Sequence, residues 1–263
     1  MNWVLLRGLM REARHWGAFP AQLQQAFPDA AIITPDLPGN GRLWRERSPT
    51  RIEDMVEHCR ATLRKLGHTP PYHLLALSLG GMVATCWSER HPEEVPAMVL
   101  INTSMRPYNP FHQRLRPANY GALIRMALAG DPARREETIL RLTSARGAAP
   151  DMLAAWSGYA REYPVSRANA LRQLLAAARF RADGASHATK VLVLASDNDQ
   201  LVDAECSHAL ARAWRVKPSF HSRAGHDLPL DDPAWVTRQT QDWIGSNAVE
   251  IEADLAKGSH RLI

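Results

Sequence analysis

A serine at 78, two aspartates at 197 and 199 and a histidine at 226 are the residues of this chain best placed by type and spacing to do chemistry. A serine hydroxyl is a weak nucleophile at neutral pH and needs a base to take its proton and an acid to orient that base. Ser78 stands in the run Tyr72-His73-Leu74-Leu75-Ala76-Leu77-Ser78-Leu79-Gly80-Gly81-Met82-Val83. Mostly apolar residues lead up to it, and an apolar helical pattern (Met82, Val83, Cys86, Trp87) leads away. The run reads as strand, abrupt turn and helix with the hydroxyl at the apex. Such a turn pushes the apex residue toward φ > 0, and the small neighbours Ala76, Gly80 and Gly81 relieve the crowding. His91-Pro92 is the expected stop of that helix.

Histidine is the natural base, because its pKa near 6.5 lets it accept a proton and give it back. His226 follows Gly225 in a loop between the last strand pattern and the last helix pattern, whereas His221 falls within the strand. The run Lys190 to Val202 ends a strand in a polar turn that holds Asp197 and Asp199, followed by Asp203. By position alone any of the three could shape the turn or cap the next helix instead of orienting a base. An oxyanion would need two preset backbone N–H donors. Leu79, directly after the serine at a helix N-terminus, is one candidate. Leu9, in the Gly-containing turn after the first strand, is the other.

The elements that must position these groups are legible as Val/Ile/Leu-rich runs alternating with helical periodicity. Strands are expected at Trp3–Leu6, Ala31–Thr34, Tyr72–Leu77, Ala97–Ile101, Val191–Ala195 and, more weakly, Ser219–His221. Helices are expected at Phe19–Phe27, Arg51–Leu66, Leu79–Arg90, Ala204–Trp214 and Pro233–Ile244. Near-continuous apolar strands suit a sheet covered on both faces, so the alternation predicts a doubly wound α/β fold with a mostly parallel sheet of about six strands. The alternation lapses from 104 to 185, which reads as an inserted helical cap. Residues 1–103 and 186–246 then form the core, and 247–263 form a loosely held polar tail.

Thirteen arginines against six acids give residues 104–185 a formal charge of +7, leaving −2 for the rest of a chain whose total is +5. Such a cap can steer anionic acyl carriers, although an arginine-rich face also suits plain solvation. Cys59, Cys86 and Cys206 are widely spaced and odd in number, which suggests neither disulfides nor a zinc site but buried thiols. No apolar stretch approaches a membrane span or a secretory signal, so a cytoplasmic protein with no membrane partner is expected. The arginines are not interleaved with any nucleic-acid-binding module. Aromatic residues that could line a cavity are Trp44, Tyr108, Phe111, Tyr120, Trp156 and Tyr159, with packing between cap helices as the plainer reading for most.

Together with the loop Asp36-Leu37-Pro38-Gly39-Asn40-Gly41, these motifs in this order resemble the α/β-hydrolase superfamily, in its small capped esterase-like branch. The resemblance covers nearly everything outside the cap. It implies Ser78, Asp199 and His226 as a catalytic triad, Leu9 and Leu79 as the oxyanion donors, and neither cofactor nor metal. Two motifs depart from the pattern. Ala76 stands where the elbow usually has its first glycine, and Arg7 where the oxyanion turn usually has histidine. Arg7 either reaches a substrate carboxylate or phosphate or forms an ion pair with a nearby acid; Trp44 and Tyr108 are the other possible substrate contacts. Because Trp3 already belongs to what resembles the family's third strand, the two leading strands are expected to be missing. The resemblance implies a serine hydrolase acting on a carboxylic ester or related acyl compound through an acyl-enzyme. Alternatives are a thioesterase or acyltransferase on acyl-carrier or coenzyme A substrates, and a ligand-binding protein without turnover.

Overall fold

The computed structural model describes residues 1–184 and 189–259, and within them the side chains of all but 127, 128, 249, 250 and 252–259. The chain runs β1 (Asn2–Leu6), α1 (Phe19–Ala26), β2 (Ala31–Ile33), α2 (Ile52–Lys65), β3 (Tyr72–Leu77), α3 (Leu79–Arg90) and β4 (Ala97–Ile101). Five helices follow without a strand: α4 (Phe111–Arg114), α5 (Tyr120–Leu128), α6 (Pro132–Thr143), α7 (Pro150–Glu162) and α8 (Arg167–Arg179). The alternation then resumes with β5 (Lys190–Ser196), α9 (Glu205–Trp214), β6 (Ser219–His221), α10 (Leu228–Asp231) and α11 (Pro233–Ser259).

The six strands form one open, all-parallel sheet in the order β2-β1-β3-β4-β5-β6. β1 and β3 sit side by side in the middle, with Leu6 opposite Ala76, and β3 pairs with β4, with Leu77 opposite Ile101. The strand ends that carry the turn after β1 and the apex at Ser78 are therefore adjacent, where a parallel sheet collects functional loops. Successive residues point to opposite faces. Val4, Leu6, Leu74, Ala76, Met98 and Leu100 pack under α2 and α3 on one side. Trp3, Leu5, Leu75, Leu77, Val99 and Ile101 pack under α1 and α11 on the other. All three cysteines are buried, and burial pushes the Cys59 thiol up to about 12.

One expectation fails. The stretch from 247 onward is not a tail as far as it is described: α11 continues through it to Ser259, and Ile251 is buried against the second core layer. Ile244, Ala248, Ile251 and Leu255 recur at the spacing of one helix face, which is what an amphipathic extension of α11 requires. The expected boundary at 185/186 and residues 260–263 lie outside the described residues. Among the described residues no helix is long and apolar enough to cross a membrane.

The closest approach of a glycine to another backbone, among the described residues, lies at the start of α3. A Cβ on residue 80 would overlap the carbonyl oxygen of Leu6, so only glycine lets this helix seat its first turn against the end of β1. Gly80→Ala is expected to destabilise the protein by about 1–3 kcal/mol, the range for overpacking a fitted site. Urea unfolding measures this as a lowered midpoint at unchanged slope.

Candidate active site

Ser78 sits between β3 and α3 with φ 57° and ψ −116°, in the left-handed region that the sharp turn demands. Its conformation is held on several sides: its N–H donates to Ile101 O (3.0 Å), and its carbonyl accepts from Gly81 N (2.9 Å) and from Thr103 Oγ1 (2.8 Å). Backbone strain of this kind persists only where surrounding contacts over-determine it, and it clusters at functional sites.

His226 is buried, in the loop between β6 and α10, and its Nδ1 lies 2.7 Å from Asp199 Oδ2. The other Asp199 oxygen accepts from Leu201 N (2.8 Å) and Val202 N (2.9 Å), so the carboxylate is fixed from both ends. With Nδ1 donating to Asp199, Nε2 of a neutral His226 is left as the proton acceptor. Burial disfavours the imidazolium, but the charge and hydrogen bond of Asp199, helped by the charge of Asp227, outweigh it; the His226 pKa is raised above the ordinary 6.5. Asp197 is exposed, and Asp203 accepts from Glu205 N (3.0 Å), as a helix-start residue does. His221 is held elsewhere, with Nε2 3.2 Å from Asp232 Oδ2 and Nδ1 accepting from Ala224 N (2.9 Å).

Ser78 and His226 open onto one cavity of about 710 Å³, within the range for small-molecule sites. Its walls are largely apolar: Leu9, Leu115, Leu123, Ile139 and Leu142 contribute, mostly from the inserted helices. Leu9 therefore borders the same space as the serine, while the Leu79 side chain is buried in the core directly behind it. Phe111, Tyr120 and Tyr159 also line the cavity. Trp44 and Tyr108 do not, contrary to expectation. Tyr108 stands against Trp214, whose Nε1 donates to its hydroxyl (3.0 Å), and Trp44 lies under the Arg45 guanidinium. Trp156 packs edge-on against His15 in the wall. An aromatic side chain in a loop serves packing or binding equally well, and only tertiary position separates the two.

Of the two readings of Arg7, the structure places its guanidinium in a buried, two-pronged ion pair with Asp227 (2.6 and 3.1 Å), stacked over Trp16. The pair ties the turn that carries Leu9 to the residue after His226. Several residues that sequence reasoning passed over hold the same loops. Gln173 of α8 accepts from Met10 N (2.9 Å) and donates to Asn40 Oδ1 (2.9 Å), which pins the turn next to Leu9 to the Asp36–Gly41 loop. Asn102 donates to His226 O (2.8 Å) and accepts from Ser196 N (2.9 Å). Arg11 and Glu136 form a second buried ion pair (2.6 Å) joining the loop after β1 to α6. An acid beside the histidine was the one visible hint for Asp227; nothing local marks Gln173 or Asn102.

Removing one partner of a buried ion pair leaves the other charge uncompensated, at a cost of about 3–5 kcal/mol. Arg7→Met is therefore expected to lower unfolding free energy by that amount, and Arg7→Met with Asp227→Leu to recover most of it. Denaturant titration of the three proteins checks the cycle.

Comparisons with known proteins agree with this architecture. A family model described as "Alpha/beta hydrolase family" matches residues 3–239. A stretch of 104 residues is 35% identical to the biotin biosynthesis bifunctional protein BioHC of Teredinibacter turnerae, covering 38% of this chain and 17% of that one. A stretch of 93 residues is 32% identical to the pimeloyl-[acyl-carrier protein] methyl ester esterase of Chromobacterium violaceum, covering 35% of this chain and 34% of that protein. The matched regions thus span about a third or less of these curated relatives. The fold is shared with a thermophilic esterase from Thermogutta terrifontis, at 22% identity and a TM-score of 0.70, over 94% of this chain and 90% of that one. With its motif order, its open parallel sheet and a family match over nearly the whole length, this chain belongs to the alpha/beta hydrolase family.

Proposed function

We propose that the protein is a serine hydrolase that cleaves carboxylic esters with an apolar acyl group through an acyl-enzyme. The observation that carries this reading is the buried His226–Asp199 pair, 2.7 Å apart, opening on the same apolar cavity as the strained Ser78. Ser78 Oγ attacks the acyl carbonyl carbon while His226 Nε2 takes the hydroxyl proton. The tetrahedral oxyanion is held by the N–H groups of Leu9 and Leu79, and Asp199 stabilises the imidazolium. As the carbon–oxygen bond to the alcohol breaks, His226 returns the proton to the leaving alkoxide. Water then gives a proton to His226 as it attacks the acyl carbon; the bond to Ser78 Oγ breaks, His226 returns the proton to that oxygen, and the acid departs.

The inserted helices supply the substrate pocket and act as its cap. Their apolar walls favour a hydrocarbon acyl chain, and their formal charge of +7 suits a leaving group that is an anionic carrier. The relative from Chromobacterium violaceum, named for a carrier-linked methyl ester, supports including carrier-bound esters among the substrates to be tried.

A fluorophosphonate probe is expected to label the wild-type protein and not Ser78→Ala. On a panel of linear acyl esters, kcat/KM should rise about threefold to fourfold per methylene, the equivalent of ~0.8 kcal/mol, until the cavity is filled. A folded wild-type protein that takes no label would overturn the reading.

The raised pKa of His226 has a kinetic consequence. The base works only when neutral, so activity should rise with pH through a midpoint above 6.5. In Asp199→Asn the charge that raises the pKa is gone and burial dominates, which moves the midpoint below 6.5 while kcat falls. A pH–rate profile of both proteins reads the shift and its sign.

A further inference from the structure

A second cleft, of about 500 Å³, lies beside the main cavity and shares Phe111 with it. Three arginines line it: Arg106 from the loop after β4, Arg114 from the end of α4, and Arg181 just beyond α8. The chain builds this convergence deliberately in backbone terms. Residues 106 and 181 form a parallel bridge in which Ala182 N donates to Arg106 O (2.7 Å), holding the two side chains on neighbouring backbones. Arg114 is half-buried; its Nη2 donates to Ala177 O (2.7 Å), while its Nε is buried without a partner.

Arg7, Arg11 and Arg60 each face a carboxylate, of Asp227, Glu136 and Glu94, whereas the half-buried Arg135 and Arg172 donate to the carbonyls of Ala129 and Ser48. Among the described residues, no carboxylate pairs with Arg106, Arg114 or Arg181. Burial and the nearby positive charge of Arg106 lower the Arg114 pKa, which is what a cation without an anion experiences. Three guanidinium groups around one concave site, one with an unused buried N–H, match the multidentate recognition of a phosphate group.

We propose that the Arg106–Arg114–Arg181 cleft is an anion subsite that binds a phosphate ester, and that it receives the phosphorylated leaving-group side of a substrate whose acyl chain fills the neighbouring cavity. The binding half stands on the cleft alone; the second half rests on the hydrolase reading above.

The two halves are tested separately. Inorganic phosphate, titrated calorimetrically at constant ionic strength, is expected to bind saturably to the wild-type chain and at least tenfold more weakly to Arg106→Gln/Arg181→Gln, whose two exposed positions leave the fold intact. Arg114→Lys, which keeps a charge and a donor to Ala177 O, should bind with intermediate strength. Absence of saturable binding, or binding unchanged in the double variant, overturns the subsite. Two further arms separate the sources of the phosphate. A soluble acyl ester of a phosphorylated alcohol should show a KM at least tenfold below that of its dephosphorylated counterpart, with the difference lost in the double variant and kcat on the neutral ester unchanged. Phosphatidylglycerol vesicles that co-sediment with wild type but not with the double variant would assign the phosphate to a lipid headgroup. If phosphate binds but neither ester shows the KM difference and no vesicles bind, the coupling to the substrate is wrong. If the fluorophosphonate probe fails while phosphate binds, the hydrolase reading is wrong, and with it the coupling to a substrate, while the anion site itself stands.

Discussion

The structure depends on one close approach: the first turn of α3 seated against the carbonyl end of β1, possible because residue 80 has no side chain. That contact brings the turn bearing Leu9 beside Ser78, and it forces Ser78 into a left-handed backbone conformation. Conformations of this kind cost about 1–3 kcal/mol and need compensation nearby. Here the compensation is visible as the hydrogen bond that Ser78 N–H gives to Ile101 O and those that its carbonyl accepts from Thr103 and Gly81. The parallel sheet supplies the rest of the geometry, since β1, β3 and β4 all deliver their loops to the same edge.

Around this rigid centre, the loops are fixed by buried polar contacts. Asp199 accepts two backbone N–H groups and the His226 ring; Asn102 grips the His226 carbonyl; Arg7 clamps Asp227. Each buried charge has a partner, as the cost of desolvating an isolated ion requires. Gln173 and Glu136 extend the network into the inserted helices, so the walls of the cavity are bonded to the loop that would carry an oxyanion donor. The three arginines of the second cleft differ in converging on one concave site with no carboxylate among its lining residues.

Patterning made much of the fold legible in advance. Apolar runs placed the first five strands to within a residue or so, because a strand covered on both faces must be apolar throughout, while the half-buried β6 (Ser219–His221) carried only a weak signal. Helix ends were legible wherever a local stop existed, as at His91-Pro92. The end of α11 is missed when that stretch is read by its charged residues alone, although Ile244, Ala248, Ile251 and Leu255 recur at helical intervals. The aromatic residues show a different limit. Trp44 and Tyr108 looked like cavity-lining side chains, yet one lies under Arg45 and the other packs on Trp214, 106 positions away.

By itself the sequence determined the order of elements, the sharp turn at Ser78 and the short set of candidate acids and bases, since these follow from local sterics and from the period of burial. Tertiary structure alone decided which aspartate meets His226, that Arg7 is neutralised by a residue 220 positions away, and that Gln173 braces the turn beside Leu9. Those choices depend on distances between side chains remote in the chain. Coulombic and hydrogen-bond energies are settled by such distances and by burial, and neither is written in residue spacing.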